Sequence, residues 1–341
     1  MDMEVADLNY GSDPSGLVWG FLFGRGAQVR ALDSAAALEW LSQPAQQAPA
    51  EFIWLHFNLA NAASENWLKN HVVLADEFYE TLHEGSRSTR IELADNSMIA
   101  VINDVLHNFS FEASDISTLW LSVTERVVIS ARRAPLSSIE RLRQAVTAGE
   151  SIRSAAELLI HLLRDQADVL VNIVRVAVAR VDDIEDKLLD GRALHKREDL
   201  GALRRVLVRL QRLLAPEPSA LFRLLMRPTG WVAELDTQEL RQSTEEFSVV
   251  LSDMSSLQER IKLLQEEIAA RVSEQNNRSL YVLTIVTVLA LPINIFAGML
   301  GMNVGGIPLA GHPHGFLIVA VVVLTFTVAA GLLVLRVQKN R

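Results

Sequence analysis

The chain contains no cysteine. Disulfides, thiolate metal sites and cysteine nucleophiles are therefore excluded together, and a reducing compartment suits the chain. It also lacks any surplus of positive charge: 41 acidic residues against 32 basic ones give a net charge of −9, which argues against nucleic acid as a partner. There is no Walker-type phosphate loop and no HExxH pair, so nothing points to an enzyme. The most telling absence is local, because between Ser279 and Leu335 there is no Asp, Glu, Lys or Arg at all.

That uncharged stretch consists of two apolar runs, Ser279–Leu300 and Phe316–Leu335, joined by a loop over 301–315 whose polar side chains are Asn303, His312 and His314. Each run has the roughly 20 residues needed to cross a bilayer, which predicts two transmembrane helices. Arg271 and Arg278 precede the first, Arg336, Lys339 and Arg341 follow the second, and the loop has no Lys or Arg. This asymmetry places both termini in the cytoplasm and the loop outside, in a multi-pass protein of the plasma (inner) membrane. The acidic start Met1-Asp2-Met3-Glu4 lacks the basic and apolar segments of a signal peptide, so the long region before residue 279 is expected to stay inside. Its surplus of carboxylates suits a protein that handles cations.

Within that region, strands are predicted at Leu17–Phe23, Phe52–Phe57, Met98–Ile102 and Val127–Ser130, with helices at Ala35–Leu41, Ala63–Lys69 and Asp76–Leu82. The alternation predicts a cytoplasmic α/β domain over residues 1–135, with Gln43–Pro49 as a surface loop and Ala134-Pro135 as the boundary. Residues 136–278 read as helical. One helix should span Ser151–Leu189 and close at Asp190-Gly191, another Glu198–Leu214, and a shorter piece should lie between Pro216 and Pro228. From Thr237 to Leu300 only Pro292 and Gly298 interrupt the helical pattern. One rod of some sixty residues would be about 90 Å long. Phe247, Val250, Met254, Leu257, Ile261, Leu264 and Ile268 recur in steps of three and four, as packing along a seam requires. A long stalk thus leads into the first membrane helix (279–300), followed by the loop (301–315), the second membrane helix (316–335) and a short cytoplasmic tail (336–341).

The polar side chains of the first membrane helix are aligned. Asn277, Thr284, Leu291 and Gly298 lie seven apart, as do Ser273, Leu280, Thr287 and Asn294, so both series share one narrow face. Polar groups facing lipid would be unsatisfied. The face must therefore meet either another helix or water.

With Gly301-Met302-Asn303 at the outer end of the first of two C-terminal membrane helices, behind a long stalk, the chain resembles the CorA superfamily of divalent-cation transporters. The continuation Val304-Gly305-Gly306-Ile307-Pro308 is more similar to the zinc-transporting ZntB branch than to magnesium-transporting CorA. The resemblance implies an α+β membrane protein built as a funnel-shaped homopentamer, with first helices lining the pore and second helices outside them. It also implies a ring of Asn303 holding a hydrated cation at the entrance, a turn shaped by Gly301 and Met302, and a pore lined by Asn277, Leu280, Thr284, Thr287, Leu291 and Asn294.

One departure matters: where magnesium-type members carry an acidic residue soon after the motif, this loop offers Pro308-Leu309-Ala310-Gly311. His312 and His314 are candidate zinc ligands, imidazole being a good ligand for zinc and a poor one for magnesium. Glu259 and Glu266 extend the same seven-residue register into the stalk as candidate cation-attracting rings. Without carboxylates in the pore, stripping a divalent ion of water would go unrepaid, so a hydrated ion is expected to pass, with Leu280 and Leu291 as dry constrictions. The expected cargo is Zn2+, with Mg2+, Co2+, Ni2+ or Cd2+ as further candidates, and no resident cofactor. The sparse titratable inventory of the span favours a channel-like route, with proton coupling left open. A CorA-type Mg2+/Co2+ channel is the alternative transporter, and a membrane-anchored sensor or scaffold the alternative outside transport.

Overall fold

A computed structural model describes residues 11–24, 29–43, 51–84, 89–94, 96–112, 114–189, 197–226, 230–302, 309 and 311–339. They form two compact units, Met1–Gln265 and Glu266–Arg341. The first unit is built on seven strands: β1 (Leu17–Phe23), β2 (Val29–Leu32), β3 (Phe52–Asn58), β4 (Arg90–Ala94), β5 (Ser97–Val105), β6 (Ile116–Val123) and β7 (Val127–Arg132). Their order in the sheet is β2-β1-β3-β7-β6-β5-β4. Every neighbouring pair is antiparallel except β3 with β7, which run parallel from Ile53 opposite Val127 to Asn58 opposite Arg132.

Both faces of this sheet are covered, which explains why its central strands read as nearly continuous apolar runs. The helices α1 (Ser34–Leu41), α2 (Ala63–His71) and α3 (Asp76–Glu84) bring Trp40, Trp67, Leu68 and Phe78 onto the face made by Ile53, Leu55, Phe57, Ile99 and Val101. The opposite face, Phe21, Trp54, Ala100, Ile102, Leu119 and Leu121, packs against α4 (Ser137–Thr147), the start of α5 (Ala155–Leu189) and α7 (Pro216–Leu225). The split along β5, Met98-Ala100-Ile102 against Ile99-Val101, is the period of two that a pleated strand imposes. Close approach fixes Gly20, where a Cβ would stand 2.9 Å from the Leu32 carbonyl oxygen. A buried trio pins the parallel pair. Ser130 Oγ accepts from Trp54 Nε1 (2.7 Å) and faces His56 Nδ1 (2.7 Å), and burial, reinforced by the nearby Arg132, holds the His56 imidazole well below its usual pKa, hence neutral.

The helical remainder comprises α5, α6 (Arg197–Leu214), α7, α8 (Glu234–Leu300) and α9 (Gly315–Lys339). Helix α5 begins at Ala155, later than the expected Ser151, because Ser154 caps it: its Oγ accepts from the Glu157 amide at 3.0 Å. Helix α8 is a single 67-residue helix, and Phe247, Val250, Met254, Leu257, Ile261, Leu264 and Ile268 are all buried along it. The strands β2, β4 and β6 were not among those expected from the sequence. The edge strands β2 and β4 carry Arg30, Arg90 and Glu92, charges that blunt an open edge and dilute an apolar run, while β6 opens with the polar pair Ser117-Thr118. The predicted helix stop at Asp190-Gly191 and most of the loop Gln43–Pro49 lie outside the described residues.

Candidate ion path in the apolar unit

Residues 279–300 of α8 and the helix α9 carry the largest concentration of exposed apolar side chains in the chain, Leu280, Leu283, Val288, Phe296, Leu317 and Leu324 among them. Such a surface needs an apolar solvent. Within this unit, Ile293, Phe296 and Leu300 of α8 line one groove with Ile318, Val319, Val322 and Phe326 of α9, and Ile285 and Leu289 continue the half-buried row.

At 3.6 residues per turn, Leu280, Thr284, Thr287, Leu291, Asn294 and Gly298 lie roughly half a turn away from that row. All six are exposed, and so is Asn277. The polar stripe is therefore not the contact between the two helices of one chain, which answers the within-chain version of the helix-contact reading. Thr284 Oγ1 donates to the Leu280 carbonyl at 2.8 Å and Thr287 Oγ1 to the Leu283 carbonyl at 2.9 Å. Each hydroxyl hydrogen is thus spent on the helix's own backbone, and the oxygens turn only acceptor lone pairs outward. The Asn294 side chain makes no hydrogen bond to a described residue. Pro292 adds one more acceptor, since it has no N–H for the Val288 carbonyl.

At the mouth, the Gly301 amide still bonds to the Ala297 carbonyl (3.0 Å) and Met302 is exposed, while Asn303 lies outside the described residues together with 304–308. The chain returns through Leu309 and His312 to α9, and a Cβ on Gly315 would stand 2.5 Å from the Leu309 carbonyl oxygen, so only glycine lets α9 start there. The rings of His312 and His314 are 6.1 Å apart, and the His314 amide donates to His312 Nδ1 at 3.2 Å. That bond occupies the Nδ1 lone pair and leaves the proton of the neutral ring on Nε2, so ligation by His312 requires giving up this hydrogen bond or a change of tautomer. Among the described residues no three His, Asp or Glu side chains converge to hold a metal ion. Glu259 and Glu266 are exposed, and Glu259 is paired with Lys262 at 3.1 Å. One chain brings the stripe together but gathers neither the histidines nor the glutamates around an ion.

The profile of the family described as "CorA-like Mg2+ transporter protein" matches residues 49–336. The chain belongs to the CorA-like family. The divalent cation transporter CmaX of Pseudomonas aeruginosa is 31% identical over 310 residues, spanning 89% of this chain and 91% of its own. The zinc transport protein ZntB of Pectobacterium atrosepticum is 23% identical over 263 residues, 77% of this chain and 80% of its own. The structure of full-length CmaX matches with a TM-score of 0.79 at 26% identity, covering 96% of this chain and 99% of CmaX.

The sequence did not reveal the buried carboxylates of this CorA-family chain. Glu217, in the first turn of α7, is fully buried, and burial, aided by Asp104, pushes its pKa up to about 8 against the hydrogen bond from Gln166. Asp165 of α5 is pushed up to about 6 by burial, with Arg141 opposing. Nothing in the local sequence marks Glu217, between Pro216 and Pro218, as buried, and only the packing of α7 on the sheet encloses it.

Proposed function

We propose that the divalent cation carried by this CorA-family transporter is Zn2+, and that it crosses the plasma membrane hydrated, along a path enclosed by five copies of the face Leu280, Thr284, Thr287, Leu291, Asn294 and Gly298. The observation that carries this reading is the position of the stripe, opposite the α9 contact and lined with acceptors. A hydrated cation presents outward-pointing water hydrogens, which such a face can accept without removing the shell. One chain cannot surround a path, so several must, and the family resemblance sets five.

Support for zinc comes from the mouth, where no carboxylate lies between Ser279 and Leu335 and where His312 and His314 from each copy offer imidazoles. Mg2+, which prefers oxygen ligands and holds its water tightly, gains nothing from such a mouth. Asn303 is assigned the entrance ring, shaped by Gly301 and Met302, with Asn277 at the inner end and Glu259 and Glu266 as cation-attracting rings in the stalk. The domain limits given above, both termini in the cytoplasm and the absence of a resident cofactor belong to the same proposal. The route is passive, because the described span offers Tyr281 and two loop histidines as its only titratable groups. Uptake into proteoliposomes tests this: Zn2+ should enter faster than Mg2+ or Co2+, with or without a pH gradient. Preferred Mg2+ flux would assign the magnesium-type channel, and flux only with a gradient would make the protein a proton-coupled carrier.

A further inference from the structure

Helix α6 carries four arginines along one side, Arg204, Arg205, Arg209 and Arg212, which line a groove of about 800 Å³ with Gly201, Val208, Leu213 and Gln265 of α8. Among the described residues no carboxylate lines it. In a chain of net charge −9, other surface arginines find acids, as Arg260 does with Asp182 (2.7 Å) and Arg271 with Glu267 (2.6 Å). The side chains of these four make no ion pair or hydrogen bond with any described residue, and Arg204 Nε is buried with no acceptor. Four like charges within about 12 Å along one helix repel one another and hold that arrangement at a cost unless an anion sits among them.

We propose that this groove binds a nucleotide bearing a di- or triphosphate. A triphosphate at neutral pH matches the four guanidiniums in charge, and guanidinium forks bind phosphate oxygens in pairs. Gly201 leaves room above Gln265, whose Nε2 would stand 3.6 Å from a Cβ there, so the amide is available to the ligand. Val208, 43% exposed between the arginines, gives the groove an apolar floor that bare polyphosphate would leave wet and a nucleoside would cover. The helix is fastened to α8 nearby: Gln211 Nε2 donates to Ser255 Oγ, and Gln258 Nε2 to Gln211 Oε1 at 2.8 Å. A ligand held on α6 therefore also bears on α8.

The test is calorimetric titration of the purified full-length protein in detergent, in metal-free buffer, with ATP, sodium tripolyphosphate and inorganic phosphate. ATP should bind more tightly than tripolyphosphate, phosphate should bind weakest, and all affinities should fall as salt rises. Arg205→Gln and Arg209→Gln, at exposed positions, should each weaken ATP about tenfold or more, while Arg223→Gln on α7 should change nothing. Absence of ATP binding at millimolar concentration, or binding unmoved by both groove substitutions, would overturn the proposal. Native mass spectrometry covers the competing occupant. If Arg205→Gln and Arg209→Gln dissociate the oligomer, the arginines hold a second copy of the chain, and the nucleotide proposal falls.

Discussion

Glu217→Gln should remove a loss of stability that grows with pH. In the folded chain Glu217 titrates at about 8, against a reference value of 4.5 for an exposed glutamate. Between those values the folded state holds a proton that the unfolded state has released, so stability falls as pH rises through the window. At 1.36 kcal/mol per pH unit, the penalty at pH 7 is about 3 kcal/mol, and it levels off near 5 kcal/mol above pH 8. Glutamine resembles the protonated acid and has no such slope. Its amide nitrogen replaces Oε1, which has no partner in the fold, and that costs about 1–3 kcal/mol at every pH. The decisive quantity is therefore the slope and not the offset. All six tryptophans lie between Trp19 and Trp231, so thermal unfolding followed by tryptophan fluorescence reports on the first unit of the intact chain. From pH 5 to pH 8 the melting temperature of the wild type should drop relative to the variant by several degrees, roughly 2 °C per kcal/mol for a unit of this size. Parallel pH curves for the two proteins would show that Glu217 is ionised in the fold, and the assignment of a buried neutral acid would be wrong.

Asn294→Leu, which places another dry ring on the acceptor-lined face, should reduce Zn2+ flux at least tenfold without changing assembly, as measured in proteoliposomes and by native mass spectrometry. Asn303→Ala should also cut flux sharply while insertion persists, and wild-type flux in the inserted protein would remove Asn303 from the entrance. His312→Ala combined with His314→Ala should lower Zn2+ uptake into proteoliposomes while assembly persists. Unchanged uptake would leave the two as ordinary loop residues. Crosslinking in mild detergent should trap species up to a pentamer, and nothing beyond a dimer would count against an enclosed path.

The sequence disclosed what depends on periodicity. The strand at Phe52–Phe57, the seam from Phe247 to Ile268 and the stripe from Leu280 to Gly298 all follow from spacing, and the structure places the strand in the sheet, the seam in the interior and the stripe opposite α9. What depends on long-range packing stayed hidden. The edge strands β2 and β4 lack an apolar run because solvent touches them, and the burial of Glu217 shows only once α7 closes over the sheet. The arginines of α6 look like any solvated helical face, and become notable only once they are seen to share one groove whose described lining holds no carboxylate.

The parallel pairing of β3 with β7 also sets an order of events on the ribosome. Strand β1 can pair with β3 as soon as residue 58 has emerged, but the other edge of β3 stays open until residue 132 is made. Over that interval the nascent chain presents Ile53, Leu55 and Phe57 on a strand with one open edge, a template for wrong partners. Strands β5 and β6 meanwhile build an antiparallel meander from local contacts, and β7 joins it before docking on β3. The sheet is complete almost 150 residues before the first apolar run at Ser279 is synthesised, so the first unit can close its core before the apolar segment leaves the exit tunnel.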